Sequence, residues 1–115
     1  MKKLLIPSIF FVLLISFSFA QKPYKVVFYN LENFFDTIND PEVLDDEFTP
    51  DGPKKWNTAK YNKKLNNTER VLFDIAAIDK NYPIVIGVSE VETRGVLEDI
   101  VATPKLAPAN YRICL

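Results

Sequence analysis

Histidine is absent from this 115-residue sequence, and cysteine occurs once, as Cys114. Without an imidazole, no mechanism that needs histidine as general base or metal ligand can run on this polypeptide alone. A single cysteine cannot form an intramolecular disulfide, so the chain must be held by packing and hydrogen bonds. Excess positive charge is also missing. Fourteen lysines and arginines face 15 aspartates and glutamates, for a formal net charge of −1. That balance gives no basic footprint for non-specific duplex binding, yet phosphate-ester chemistry remains open wherever a bound metal ion supplies the positive charge.

One long apolar run is present, and it lies at the very start. Lys2 and Lys3 precede an almost uncharged stretch from Leu4 to Phe19, and Ser18-Phe19-Ala20 places small residues where a signal peptidase reads. Residues 1–20 therefore read as a signal peptide, and the protein is expected to be exported, periplasmic or secreted. Pro7, the serines and the cleavage-like site disfavour a stable membrane anchor. No cysteine follows the cleavage position, which argues against a lipid anchor. Removal of those 20 residues leaves 95, with 12 basic and 15 acidic side chains and a net charge of −3. A chain of that size builds one modest core.

Tyr24 to Tyr29 (YKVVFY) is rich in β-branched and aromatic residues and predicts a strand covered on both faces. From Leu31 to Trp56 the density of Asp-Pro, Thr-Pro and Asp-Gly-Pro steps predicts a long ordered loop. Asn57 or Thr58 then caps a helix over Ala59 to Ala77, whose apolar positions Tyr61, Leu65, Val71, Leu72, Ile75 and Ala76 recur at helical spacing. Lys60, Lys63, Lys64, Asn67 and Asp74 fall elsewhere on the turn. Pro83 to Val88 (PIVIGV) predicts a second strand, again covered on both faces. Arg94 to Ala102 predicts a helix with Val96, Leu97, Ile100 and Val101 inward and Pro104 ending it, and Tyr111 to Leu115 predicts the start of a further strand. The order strand, loop, helix, strand, helix argues for an α/β layered fold with parallel crossovers.

Two strands in this pattern run into polar side chains, Asn30 and Glu90. Loops leaving the carboxyl ends of parallel strands form the usual ligand site, and neighbouring strands lie about 4.8 Å apart, within joint reach of one small ligand. A glutamate is a hard oxygen donor suited to Mg²⁺, while an asparagine amide can donate to a phosphate oxygen or accept from metal-bound water. The same residue types also serve as plain turn and surface residues. Phe34, Phe35 and Trp56 suit either a substrate cleft or loop packing.

The words YNLENFFD, DDEFTPDGPKKWN, KYNKKLNN and GVSEVE followed by VLEDI, in that order, resemble an exported bacterial member of the endonuclease/exonuclease/phosphatase superfamily, the DNase-I-like metal-dependent phosphoesterases. The resemblance spans roughly residues 24–113. It implies the N-terminal portion of a four-layered α/β sandwich, and a Mg²⁺-dependent hydrolase, with Mn²⁺ as the other metal, acting on phosphodiester or phosphomonoester bonds. Asn30 matches the family's first-strand asparagine and Glu90 its metal-binding glutamate, so both are expected catalytic residues. Glu32 falls where some members place a second acid beside the metal. Asp36 and the run Asp45-Asp46-Glu47 read as solvated loop features, and Ser89 stands where many members have glutamine.

The family's later motifs, with their aspartate, asparagine and histidine, have no counterpart in this sequence. The expectation is therefore a truncated domain over residues 21–115, inactive or nearly so, with one apolar sheet face left uncovered and a sticky, poorly soluble chain. The expected partner is a phosphate-ester substrate, nucleic acid among the classes; the resemblance leaves DNA, RNA, lipid and small phosphate esters open. The alternative reading is a non-catalytic exported binding module that uses the aromatic and acidic loop 34–56.

Overall fold

The computed structural model describes residues 23–115. The expected signal peptide at 1–20 lies outside the described residues. Two parallel strands, β1 (Val26–Phe34) and β2 (Val85–Val91), are joined by a crossover through helix α1 (Thr58–Ala77), and β2 is followed by helix α2 (Arg94–Ala102). Single 3₁₀ turns stand at Asp46–Phe48 and Ala107–Ala109. The result is the mixed α/β arrangement that the element order predicts. None of the described helices is long and apolar enough to cross a membrane.

Each helix starts where its capping residue dictates. The Asn57 side chain accepts from the Lys60 amide, and the Thr93 side chain accepts from the Val96 amide, each satisfying a donor that the first helical turn leaves free. At the far end of α1, the Lys25 ammonium donates to the carbonyls of Ile75 and Asn81 at 2.7 and 3.1 Å and to Asp79 at 2.6 Å. A cation at the carbonyl end of a helix complements its dipole, so Lys25 ties the start of β1 to the end of α1.

The core lies between the sheet and the two helices. Leu31, Phe34, Tyr61, Leu72, Val96, Leu97, Ile100 and Leu106 form one buried cluster, with Leu65, Tyr82, Ile86 and Val88 packed against it. Tyr61 bridges the layers: its ring meets Phe34 at 5.3 Å and its hydroxyl donates to Asp99 on α2 at 2.5 Å. Burial, then Asp99, pushes the Tyr61 phenol well above its ordinary range, so it stays a donor.

Several expectations are corrected. Neither strand is covered on both faces: Val26 and Phe28 of β1 and Val85 of β2 are exposed, because both helices pack on one side of the sheet. The paired residues Val26 and Val85, and Phe28 and Gly87, share the open face. A Cβ on Gly87 would come within 3.1 Å of the Phe28 ring, so the glycine is what lets that ring lie against β2. Tyr111 to Leu115 form no strand, since no described strand lies alongside them; Tyr111 instead donates to the Pro83 carbonyl.

The strands also run further than predicted, and the reason is a change of phase. Leu31 and Phe34 are both buried although three positions apart, which a strand of strict period two cannot achieve. The ladder is regular to Asn30 opposite Ser89 and resumes at Phe34 opposite Val91, so Leu31, Glu32 and Asn33 face Glu90 alone. Glu32 and Asn33 take left-handed backbone angles, φ 53° and 58°, and Glu90 does the same at φ 57°. Burial of two apolar anchors three positions apart thus goes with a bulge in β1, opposite Glu90 of β2.

Candidate active site

The bulge brings the predicted pair together. Asn30 donates through its side-chain amide to the Glu90 carboxylate at 2.8 Å, and its carbonyl oxygen accepts from the Glu32 backbone N–H at 2.7 Å. Asn30 therefore links the two strand ends and holds the left-handed turn that follows it. Glu90, Glu32 and Asn30 are all exposed, and one Glu90 carboxylate oxygen remains free of the Asn30 contact. A left-handed non-glycine residue costs roughly 1–3 kcal/mol and persists only where its surroundings enforce it. Three such residues at these strand ends, with the acids among them, mark this as a place where backbone ease has given way to side-chain placement.

Lys64 completes the frame. Its ammonium donates to the Glu32 carbonyl at 2.5 Å and to the Asn33 carbonyl at 3.3 Å, so helix α1 pins the bulge from the side. Burial lowers the Lys64 pKa, and the charges of Glu32 and Glu90 oppose that shift. Both carboxylates thus feel the same cation. Beside Asn30 and Glu32 opens a cavity of about 390 Å³ whose far wall is Trp56, Lys60, Lys63 and Asn67. These lysines fall away from the apolar stripe of α1, and the signal that places them together is the shared face of positions 60, 63, 64 and 67.

The loop after β1 is ordered by its own contacts. Phe35 and Phe48 stack at 4.1 Å, Trp56 donates from its indole N–H to the Phe35 carbonyl at 3.0 Å, and Phe34 is core. Gly52 is required there, since a Cβ would fall 2.1 Å from the Asp46 carbonyl oxygen. The reading of Asp45-Asp46-Glu47 as a solvated run is corrected for its first member. Asp45 is 1% exposed, one of its carboxylate oxygens accepts from the Asp40 N–H at 3.0 Å, and the other, Oδ1, has no partner. It faces Glu92, which accepts from the Asp36 N–H at 2.8 Å. Burial first, and then the charges of Asp36 and Asp45, raises the Glu92 pKa. These acids buttress the loop against the end of β2.

Among the described residues, no three histidine, cysteine, aspartate or glutamate side chains converge as a ready metal cluster. Mg²⁺ does not demand one, because it retains several waters and is commonly held by one or two carboxylates together with substrate phosphate. An exposed Glu90 with an unengaged oxygen, and an exposed Glu32 two residues after Asn30, fit that donor set.

Comparison with known proteins adds the family. The model of the endonuclease/exonuclease/phosphatase family matches residues 25–115. No curated protein and no solved structure matches the chain in the corresponding searches. The matched span takes in both strands, both helices and the Asn30–Glu90 pair, and the chain belongs to the endonuclease/exonuclease/phosphatase family.

Proposed function

We propose that this chain carries the metal-holding and phosphate-orienting part of a phosphoester hydrolase site. The supporting observation is the 2.8 Å hydrogen bond between Asn30 and Glu90 across the two strand ends. In this reading Glu90 and Glu32 hold Mg²⁺, with Mn²⁺ as a substitute, and the bound ion supplies Lewis-acid polarisation of the phosphoryl oxygens. Asn30 fixes the Glu90 carboxylate in one orientation and keeps an amide proton for a phosphate oxygen. Lys64 holds the bulge and adds positive charge beside the acids. The substrate is a phosphodiester or phosphomonoester, and the leader-like first 20 residues support action after export.

Calorimetric titration with Mn²⁺ tests the assignment. The wild-type chain is expected to bind one ion, Glu90→Gln to lose at least tenfold in affinity, and Glu32→Gln to lose less. Unaltered binding by Glu90→Gln contradicts the assignment.

A further inference from the structure

The loop after β1 closes on two carboxylates that no side-chain cation neutralises. Asp45 is 1% exposed, and its Oδ1 has no hydrogen-bond partner. Glu92, which it faces from just beyond β2, is half-buried and feels the charges of Asp36 and Asp45. None of the ion pairs among the described residues includes Asp45 or Glu92, and even Arg94, two positions beyond Glu92, pairs with Glu98 instead. Buried anions persist in proteins where they are paired or coordinate a metal.

Backbone amides hold both groups in place. The Asp40 N–H donates to Asp45 Oδ2 at 3.0 Å, and the Asp36 N–H donates to Glu92 Oε2 at 2.8 Å. Donation of this kind favours the ionised form of a carboxylate, so it sharpens the demand for a positive charge at the orphaned Oδ1. The main chain on either side is fixed as well: Phe48 donates to the Asp45 carbonyl at 2.7 Å, and Glu92 donates to the Phe34 carbonyl at 3.1 Å. This place is separate from the strand-end site, since neither Asp45 nor Glu92 lines the cavity beside Asn30 and Glu32.

We infer that Asp45 and Glu92 form a structural cation site that takes Ca²⁺ and clamps the loop 36–56 to the end of β2. Burial selects the ion. Ca²⁺ accepts carboxylate and backbone carbonyl oxygens in flexible geometry, whereas Mg²⁺ gives up its waters reluctantly, and a side chain 1% exposed offers little access to a hydrated ion. Three converging acids are not needed, because loop carbonyls and water can complete a Ca²⁺ shell around two carboxylates. The inference stands apart from the phosphoesterase reading and calls on neither Asn30 nor Glu90.

Trp56 is the sole tryptophan of this sequence, and its indole is tied to this loop through the Phe35 carbonyl, so its fluorescence follows unfolding of the clamped segment. The test is urea titration of the chain in EDTA, in CaCl₂ and in MgCl₂. With Ca²⁺ at about ten times its Kd, the wild-type midpoint is expected to rise by about 0.7–1.4 M, and the same concentration of Mg²⁺ to raise it less. Glu90→Gln and Glu32→Gln should keep the Ca²⁺ shift, whereas Asp45→Asn should lose it and Glu92→Gln should lose most of it. In EDTA, Asp45→Asn leaves no orphaned carboxylate and should unfold no earlier than the wild type, which separates a lost site from a lost fold. A wild-type midpoint that Ca²⁺ leaves unmoved overturns the site, as does a Ca²⁺ shift that survives Asp45→Asn. A shift that disappears in Glu90→Gln places the ion at the strand ends and overturns it too, and equal shifts with Mg²⁺ overturn the choice of Ca²⁺.

Discussion

Glu90 sits at φ 57° in a conformation that favours glycine, so its carboxylate is kept there at a cost in stability. Comparison of Glu90→Gly with Glu90→Ala isolates that cost. Both variants delete the carboxylate and its 2.8 Å bond to Asn30, so the lost hydrogen bond cancels between them. What remains is the backbone. A Cβ in the left-handed region costs about 1–2 kcal/mol, while glycine loses about 0.5–1 kcal/mol more conformational entropy than alanine on folding. The difference leaves the glycine variant more stable by about 0.5–1 kcal/mol. For a domain of this size that corresponds to roughly 2–8 °C in melting temperature, or to about 0.5 M in urea midpoint at a slope near 1–2 kcal/mol per molar. Urea titration followed by Trp56 fluorescence, at low protein concentration because of the open sheet face, measures it. An alanine variant as stable as the glycine variant, or more so, would refute the claim that backbone strain is stored at Glu90.

Further outcomes follow from other contacts. Asp45→Asn is expected to stabilise the chain by about 1 kcal/mol at neutral pH, because an amide nitrogen in place of the orphaned Oδ1 gives Glu92 a donor; a lower urea midpoint would contradict this. Glu92 has a raised pKa in the folded chain, so above its ordinary value of 4.5 the unfolded chain gives up the proton first. Stability should therefore fall as pH rises from about 4.5 through the raised folded value and level off beyond it, and Glu92→Gln should abolish that slope. Asp79 shifts the other way: the hydrogen bond from Lys25 lowers its pKa below 3.8, so its contribution is present above that pH and lost as pH falls through the folded value, and Asp79→Asn should flatten the acid limb of the stability curve. On the open sheet face, where Val26 is 68% exposed, Val26→Lys should reduce light scattering by concentrated protein while changing stability by less than about 0.5 kcal/mol.

The helices were legible because their signals are local. Asn57 announces the start of α1, and the three-and-four spacing of Tyr61, Leu65, Leu72 and Ala76 defines the buried stripe before any tertiary contact is known. The strands were legible in place but not in extent. Their ends depend on which distant side chains Leu31, Phe34 and Val91 pack against, and the phase change that carries Asn30 to Glu90 is a compromise between two strands that neither sequence word contains alone. Coverage of the sheet was misread for a similar reason: an apolar strand states a demand for burial, and only the arrangement of helices says which face receives it. The burial of Asp45 was invisible because an acid run is ordinarily solvated, and this one closes a loop around Thr49 and Gly52. Of the site, Asn30 and Glu90 stood out as polar punctuation after apolar runs and Glu32 entered through the family resemblance, whereas Lys64 did not stand out. Its role depends on reaching the left-handed carbonyls of Glu32 and Asn33, which the sequence does not display.

The central claim is that Asn30 and Glu90 form one unit facing a metal ion. The side-chain amide resonance of Asn30, followed by ¹⁵N-correlated NMR during Mg²⁺ titration and assigned with Asn30→Asp, reads that unit at its hydrogen bond. A saturable shift of the Asn30 amide in the wild-type chain, absent in Glu90→Gln, is the predicted result. Mg²⁺-induced shifts elsewhere in the chain with the Asn30 amide unmoved, or an Asn30 response that persists in Glu90→Gln, would contradict it.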